Sequence, residues 1–242
     1  MALYDKPVRA LMRDMVSDLV LKKGEVLTRD RVLGWFSEHY PKVKQGTIGA
    51  HLIQLSINAK SRHHYSPKPK EDDLFYQIDG GRFRLYEPES DPAPIYRPID
   101  DGPRPPQDEE PPSQFAYEAD LRNYLAKNLG LLEPGLALYE EEGIKGIEFP
   151  AGGRFIDILA LDSKNNYVVI ELKVSRGYDR VVGQLLRYMG WVSKNQAEEN
   201  QSVRGFVVAR EMSEDLKLAC AGVPGVSLFE YALSVEVRRI DT

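Results

Sequence analysis

Asp157, Glu171 and Lys173 are the residues of this 242-residue chain whose types and spacing point most directly to chemistry. Asp157 sits inside RFIDILAL, a run whose two alternating faces are both apolar: Phe155, Leu159 and Leu161 on one, Ile156, Ile158 and Ala160 on the other. Such a run reads as a strand covered on both sides, where an ionised carboxylate costs several kcal/mol unless it is paired or bound to metal. The next apolar run, YVVIELK, puts Glu171 and Lys173 on one face, because strand side chains alternate with period two. Between the runs lies DSKNN, residues 162–166, a five-residue turn. A hairpin centred on Lys164 sets Asp157 directly opposite Glu171, with Cβ atoms about 4.5–5.5 Å apart. Two acids facing each other in a covered sheet repel, and a divalent cation between them removes the conflict. Hard oxygen donors select Mg²⁺, which keeps several waters and also binds phosphate, with Mn²⁺ able to substitute. That set suits phosphodiester hydrolysis: metal-activated water, with a lysine that orients it or balances charge growing on the phosphate. A structural cluster, in which the acids pair with Lys173 or Arg154, is the competing reading. Glu118 shares a helix face with Leu121, Leu125 and Leu129, and is either a partner for Arg154 or Lys173 or part of a metal shell.

The elements that must position these groups form an α/β unit from residue 114 to 242. A helix is expected at about 115–129, and strands at 137–142, 154–161 and 167–173. A long helix at 179–193, a strand at 205–209, a short helix from Ser213 and a final strand at 226–237 follow. Before this unit lies a Pro- and acid-rich stretch, residues 87–113, read as a semi-rigid linker; a loop packed on one domain is the alternative. Residues 1–86 give helices at 8–22, from the Thr28 cap to Phe36, and from a Thr47 cap along Ile48, Leu52 and Leu55. Two strands around Gly80-Gly81 complete them. Three helices and a hairpin is the order of a winged helix, so the first unit is expected to be a small α+β domain.

Charge fits this division. Lys+Arg minus Asp+Glu is about +5 over residues 1–86, −6 over 87–113 and −4 over the rest, which sums to the net −5. The basic first unit is compatible with nucleic acid, and clustered carboxylates in the second need metal before they tolerate it. A helix at 47–56 is the candidate recognition helix, with Thr47, Gly49, His51 and Gln54 off its apolar face and able to meet base edges or phosphates. Lys42, Lys44, Lys60, Arg62, Arg82 and Arg84 are candidate phosphate contacts. A protein-binding winged helix is the other reading of this unit. His51, His63 and His64 have no Cys or acid at ligand spacing beside them, which speaks against zinc. No apolar run reaches the ~18 residues of a membrane span, and MALYDKPVRALMRD has no signal-peptide core. With Cys220 the lone cysteine, a reduced, cytoplasmic setting is expected.

Asp157 followed by Glu171-Leu172-Lys173 resembles the PD-(D/E)xK nuclease signature. The longer run GRFIDILALD, VVIELK, VVGQLLRYMGWV is similar to the nuclease domain of the NucS/EndoMS endonucleases over roughly residues 115–194. The resemblance implies a restriction-endonuclease-like mixed-sheet core and a metal-dependent DNA endonuclease acting on double-stranded DNA. It also implies roles. Asp157 and Glu171 match the metal-binding acids, Lys173 the catalytic lysine, and Glu118 the acid of the first core helix. Gln184 and Tyr188 match a Q-x-x-x-Y pair behind the site, and Arg154 matches a position beside the first acid, where it contacts phosphate or balances charge. Residues 1–86 do not resemble that family's β-rich N-terminal module. A winged helix there points instead to a restriction-type enzyme targeted to a sequence or a modified base. Cleavage of mismatched, branched or single-stranded DNA is the alternative, and a non-catalytic DNA-binding regulator a further one. Cutting both strands implies a homodimer.

Overall fold

The computed structural model describes residues 4–97, 112–177 and 180–232. The first unit opens with α1 (Val8–Asp18), held inward by Val8, Leu11, Met12 and Met15 at helical spacing. A short strand, β1 (Leu27–Thr28), leads into α2 (Arg29–His39). As expected, Thr28 caps α2: its hydroxyl accepts the Arg31 N–H at 3.3 Å. Then come α3 (Gln45–Leu55), a 3₁₀ turn at Lys60–Tyr65, and the strands β2 (Phe75–Gln77) and β3 (Arg82–Leu85). The three strands form an antiparallel sheet in the order β1-β3-β2. Three helices and a hairpin thus follow in the expected order, with β1 as an additional strand. The β2–β3 turn does not rest on its glycines. Asp79 makes it, by accepting the N–H groups of Gly81 and Arg82.

Residues 87–97 lie on this first unit. Asp91 takes a double ion pair from Arg84 and the N–H of Glu87. The Ile95 N–H donates to the Ile57 carbonyl at 2.9 Å, and Tyr96 donates to Asp73. The remaining stretch of the expected linker, 98–111, falls outside the described residues.

The second unit begins with α4 (Pro112–Lys127) and continues through the short strands β4 (Ala137–Leu138), β5 (Glu140–Glu141) and β6 (Ile144–Lys145). Then come β7 (Ile147–Ala151), β8 (Arg154–Leu161), β9 (Tyr167–Gly177), α5 (Arg180–Asn195), β10 (Val203–Met212), α6 (Glu214–Ala221) and β11 (Val226–Glu230). Its sheet runs β11-β10-β9-β8-β4, with β7 also paired to β8. β9, β10 and β11 are parallel, joined through α5 and α6, whereas β7, β8 and β9 are antiparallel. This is the expected mixed sheet. Both of its faces are covered: Leu185, Tyr188 and Val192 of α5 pack with Leu159 and Val169, while Leu121 and Leu125 of α4 pack with Ile158, Ile170 and Leu172.

Two details differ from expectation. The single strand foreseen at 137–142 is split, because β4 pairs with β8 and β5 with β6. β7, which had not been foreseen, pairs with β8 through the two-residue turn Gly152-Gly153, both with positive φ (60° and 83°). The units also share a core: Ala50, Ile53, Ala59 and Tyr65 pack in one cluster with Tyr139, Phe149 and Ile156. Gly46 is needed there, since a Cβ on it would lie 2.9 Å from the Phe149 ring.

Candidate active site

The β8–β9 ladder pairs Leu161 with Tyr167, Ala160 with Val168, Leu159 with Val169 and Ile158 with Ile170. The next step of this register faces Asp157 towards Glu171. There the regular pairing stops, and the Asp157 carboxylate itself accepts the Leu172 N–H at 2.9 Å. Asp157 is half-buried and Glu171 fully buried. Lys173 Nζ lies 3.1 Å from Glu171 Oε1, and Glu171 Oε2 is buried with no hydrogen-bond partner. Burial raises the pKa of Asp157, only partly opposed by Lys173 and the Leu172 N–H. Burial pushes Glu171 well above the usual carboxylate range, and the charge of Asp157 pushes it further. The Lys173 pKa is raised as well, but here that favours the charged form: burial disfavours its charge, and Glu171, Asp157 and Glu118 outweigh that and hold it protonated.

Three other expected residues gather round this pair. Glu118 on α4 is half-buried, and its charge acts on both Glu171 and Lys173. Gln184 and Tyr188 lie one turn apart on α5, with Gln184 Nε2 3.5 Å from the Tyr188 hydroxyl. Tyr188 is buried, and its pKa is raised by that burial and then by Glu171. Arg154 does not join them. It is exposed at the β7–β8 turn, three residues before Asp157, and lines a cleft towards the first unit.

The sequence reading missed a second acid. Ile147 pairs with Ile158 and Phe149 with Ile156, so Glu148 faces Asp157 from the strand opposite Glu171. Arg122 Nη2 of α4 lies 2.9 Å from Glu148 Oε1 and His64 Nε2 of the first unit 3.5 Å from Oε2. Burial alone would raise this carboxyl, but His64 and Arg122 override it and hold Glu148 well below the usual range. The Tyr65 hydroxyl donates to the Glu148 carbonyl at 2.8 Å. A Glu four residues before the Gly152-Gly153 turn was visible in GIEFPAGGRF; its role was not, because β7 was not recognised.

The outward polar face expected on α3 is corrected. Every residue from Gly46 to Leu55 is buried, since the second unit covers the side of the helix opposite the first unit's core. Thr47 donates to Glu141, His51 Nδ1 bonds the Thr47 carbonyl at 2.8 Å, and Gln54 donates to the Tyr65 carbonyl. None of the three can meet a base edge in this arrangement. Arg62 is likewise fully buried, bonding the Gln54 and Asp72 carbonyls and the Asp73 carboxylate. It is a staple of the fold rather than a surface cation. Arg84 is engaged by Asp91 and lies over the Tyr76 ring. Arg82 is exposed and paired with Asp79, and Lys60 is exposed. Burial lowers the His51 pKa to about 4.

A cation held at Asp157 and Glu171 would meet only carboxylate oxygens, one of them otherwise unpartnered. Among the described residues no three or more His, Cys, Asp or Glu side chains converge into a cage. Two carboxylates with the remaining positions left to water is the habit of Mg²⁺, so the donor set fits that ion.

The run of sequence carrying these residues also decides its kinship. Residues 117–221 match the Endonuclease NucS C-terminal domain family. Endonuclease NucS 2 of Halobacterium salinarum is 35% identical over 121 residues, covering 49% of this chain and 44% of that protein. Endonuclease NucS of Pyrococcus abyssi is 32% identical over 102 residues, covering 41% and 36%. The chain therefore spans less than half the length of these curated relatives. A crystal structure of a repair endonuclease from Pyrococcus abyssi superposes with a TM-score of 0.39 at 24% identity, covering 52% of this chain and 49% of its own. The second unit is thus similar to the C-terminal domain of the NucS endonucleases. Residues 7–85 match a domain of unknown function (DUF7669). Among the described residues, no helix of either unit is long and apolar enough to cross a membrane.

Proposed function

We propose that this protein is a Mg²⁺-dependent DNA endonuclease whose NucS-like domain hydrolyses phosphodiester bonds at Asp157, Glu171 and Lys173. The observation that carries the reading is the pair of opposed carboxylates, half-buried Asp157 and buried Glu171, with one Glu171 oxygen lacking a hydrogen-bond partner. In an apolar sheet such a pair is unstable unless something cationic completes it. When bound, the divalent ion supplies Lewis-acid polarisation of the phosphate and a hydroxide-like water. The chain's own residues supply the rest. Asp157, tethered by the Leu172 N–H, fixes one carboxylate at the end of the ladder. Lys173, kept charged by its acid neighbours, neutralises charge growing on the phosphate. Gln184, held beside Tyr188, orients water or phosphate from the α5 side.

Substrate choice follows from the first unit. A restriction-type enzyme reading sequence through α3 needs that helix exposed, and α3 is buried. We therefore favour the NucS-like alternative, in which DNA structure (a mismatch, a branch or a single-stranded segment) selects the site of cutting. Cleavage of both strands requires two such centres, which a homodimer supplies.

The test is a cleavage panel of perfect, mismatched, branched and single-stranded DNA with Mg²⁺, Mn²⁺ or chelator. We expect metal-dependent cutting that favours a structural irregularity, and its loss in Asp157→Ala and Lys173→Ala with folding and DNA binding retained. Undiminished cutting by either variant rejects the assigned residues. Equal cutting of perfect and irregular duplexes rejects the substrate class.

A further inference from the structure

Arg154 and Arg29 lie on different units but line the same cleft, of about 400 Å³ including its mouth. No acid is among the residues that line it. The other arginines of residues 1–86 (Arg9, Arg13, Arg31, Arg62, Arg82 and Arg84) each meet a carboxylate. The Arg29 guanidinium has neither a hydrogen bond nor an ion pair to any described residue, although it is half-buried and the backbone N–H of Arg29 bonds the Gly81 carbonyl; the Arg154 guanidinium, across the cleft, has none either. Partial burial of a guanidinium without an anion is unfavourable, and it lowers the Arg29 pKa. The cleft is built around this residue: a Cβ on Gly49 would lie 3.0 Å from Arg29 Nη2, so a glycine on α3 lets the guanidinium lie against the helix.

We propose that this cleft holds a backbone phosphate of bound DNA between Arg29 and Arg154, so that both units grip the substrate at one point. This rests on the reading of the protein as a DNA endonuclease and adds to it a phosphate site outside the catalytic carboxylates. The guanidinium fork suits phosphate oxygens bidentately. Phe155, 40% exposed and also lining the cleft, offers an apolar face to the adjoining sugar or base. Arg154 precedes Asp157 by three positions along β8, roughly 10 Å of strand, so the cleft and the carboxylates belong to the same stretch of the sheet. The site spans the seam between the units, and a strand seated there touches the first unit while its scissile bond lies in the second. α3 then contributes to DNA binding through Gly49, which makes room for Arg29, rather than by reading bases.

The test measures binding of a fluorescent duplex to the full chain in chelator, over a range of salt. Arg29→Ala and Arg154→Ala are each expected to weaken binding about tenfold and to reduce the slope of log affinity against log salt by about one. Because both hold one phosphate, the double variant should lose less than the product of the two. Arg29→Lys should recover part of the loss. Thermal melting identifies any folding defect in the half-buried Arg29→Ala, and the exposed Arg154→Ala keeps the test decisive if one occurs. Unchanged affinity and salt slope in Arg154→Ala overturn the site, even if the wild type cuts DNA. Arginine-dependent binding without cleavage by the wild type keeps the site and rejects the endonuclease reading. Absence of DNA binding by the wild type rejects both.

Discussion

Asp157 has an acid on either side of it in the sheet, Glu148 from β7 and Glu171 from β9, and the protein treats the two differently. Glu148 is met by Arg122 from α4 and His64 from the first unit, and its carboxyl is held low. Glu171 is met by Lys173 at one oxygen only and by the charge of Asp157, and its carboxyl is driven high. Both are buried, so burial does not distinguish them. The difference lies in compensation. Where the two units join, Arg122 reaches one oxygen of the acid and His64 lies 3.5 Å from the other, so neighbours from two elements meet it, as a permanent contact requires. One strand away the counter-charge is left incomplete, as a site that binds a cation and a phosphate requires. Protein-supplied partners therefore separate structural acids from reactive ones here, better than burial or motif does.

That contrast can be broken most sharply at Glu171. Glu171→Gln should cut the rate of DNA cleavage on the order of 10³-fold or more. Metal-free melting should stay unchanged or rise, because one of two repelling carboxylates is removed. Cleavage rates and melting curves in chelator check this, and a variant that melts early yet still cuts would erase the distinction. The opposite pattern is expected at Glu148. Glu148→Gln leaves Arg122 buried without its anion and should cost roughly 3–5 kcal/mol in denaturant unfolding. A loss below about 1 kcal/mol would place Glu148 in the same class as Glu171.

How much of this was legible in the sequence follows the range of the forces. The β8–β9 hairpin was readable because its turn is local: Asp162 Oδ1 accepts the N–H groups of Lys164 and Asn166, closing DSKNN and fixing the register. Given that register, the approach of Asp157 to Glu171 follows. The Thr28 cap was readable for the same reason. β7 was missed although Gly152-Gly153 forms the positive-φ turn that such a pair favours, because Pro150 beside it argues against a strand. Gly80-Gly81, read as that turn, has no positive φ and depends on Asp79. α3 misled for a longer-range reason. Its apolar stripe, Ile48, Leu52 and Leu55, accounts for burial against the first unit alone, and a polar residue on the other face reads as solvent-facing. Gly46, Gly49 and Ala50 on that face signalled a second surface coming close. The pairing of Glu148 with His64, more than eighty residues away, has no local trace at all.

The least drastic way to sharpen the comparison uses pH, because the two regions should respond with opposite sign. His51 lies where the units meet, with burial as the dominant influence and the charges of Glu141, Arg9 and Asp72 around it. Its pKa falls from the ordinary 6.5 to about 4 on folding. Between those values the unfolded chain binds the proton and the folded one does not, so stability is complete above pH 6.5 and declines as pH falls towards 4. The full contribution is roughly 3 kcal/mol. Asp157 and Glu171 have folded values raised above the unfolded ones. On raising the pH, the unfolded chain ionises first, so in metal-free protein these acids make stability decline from about pH 4 upwards. The two contributions therefore cross in the same window, and variants separate them. Relative to wild type, His51→Gln should flatten the decline towards acid in chelator, and Glu171→Gln should flatten the decline towards neutrality. Melting temperature from pH 4.5 to 7.5 reads both slopes. If the two variants shift the profile in the same direction, the joint and the catalytic end are not built on opposite electrostatics.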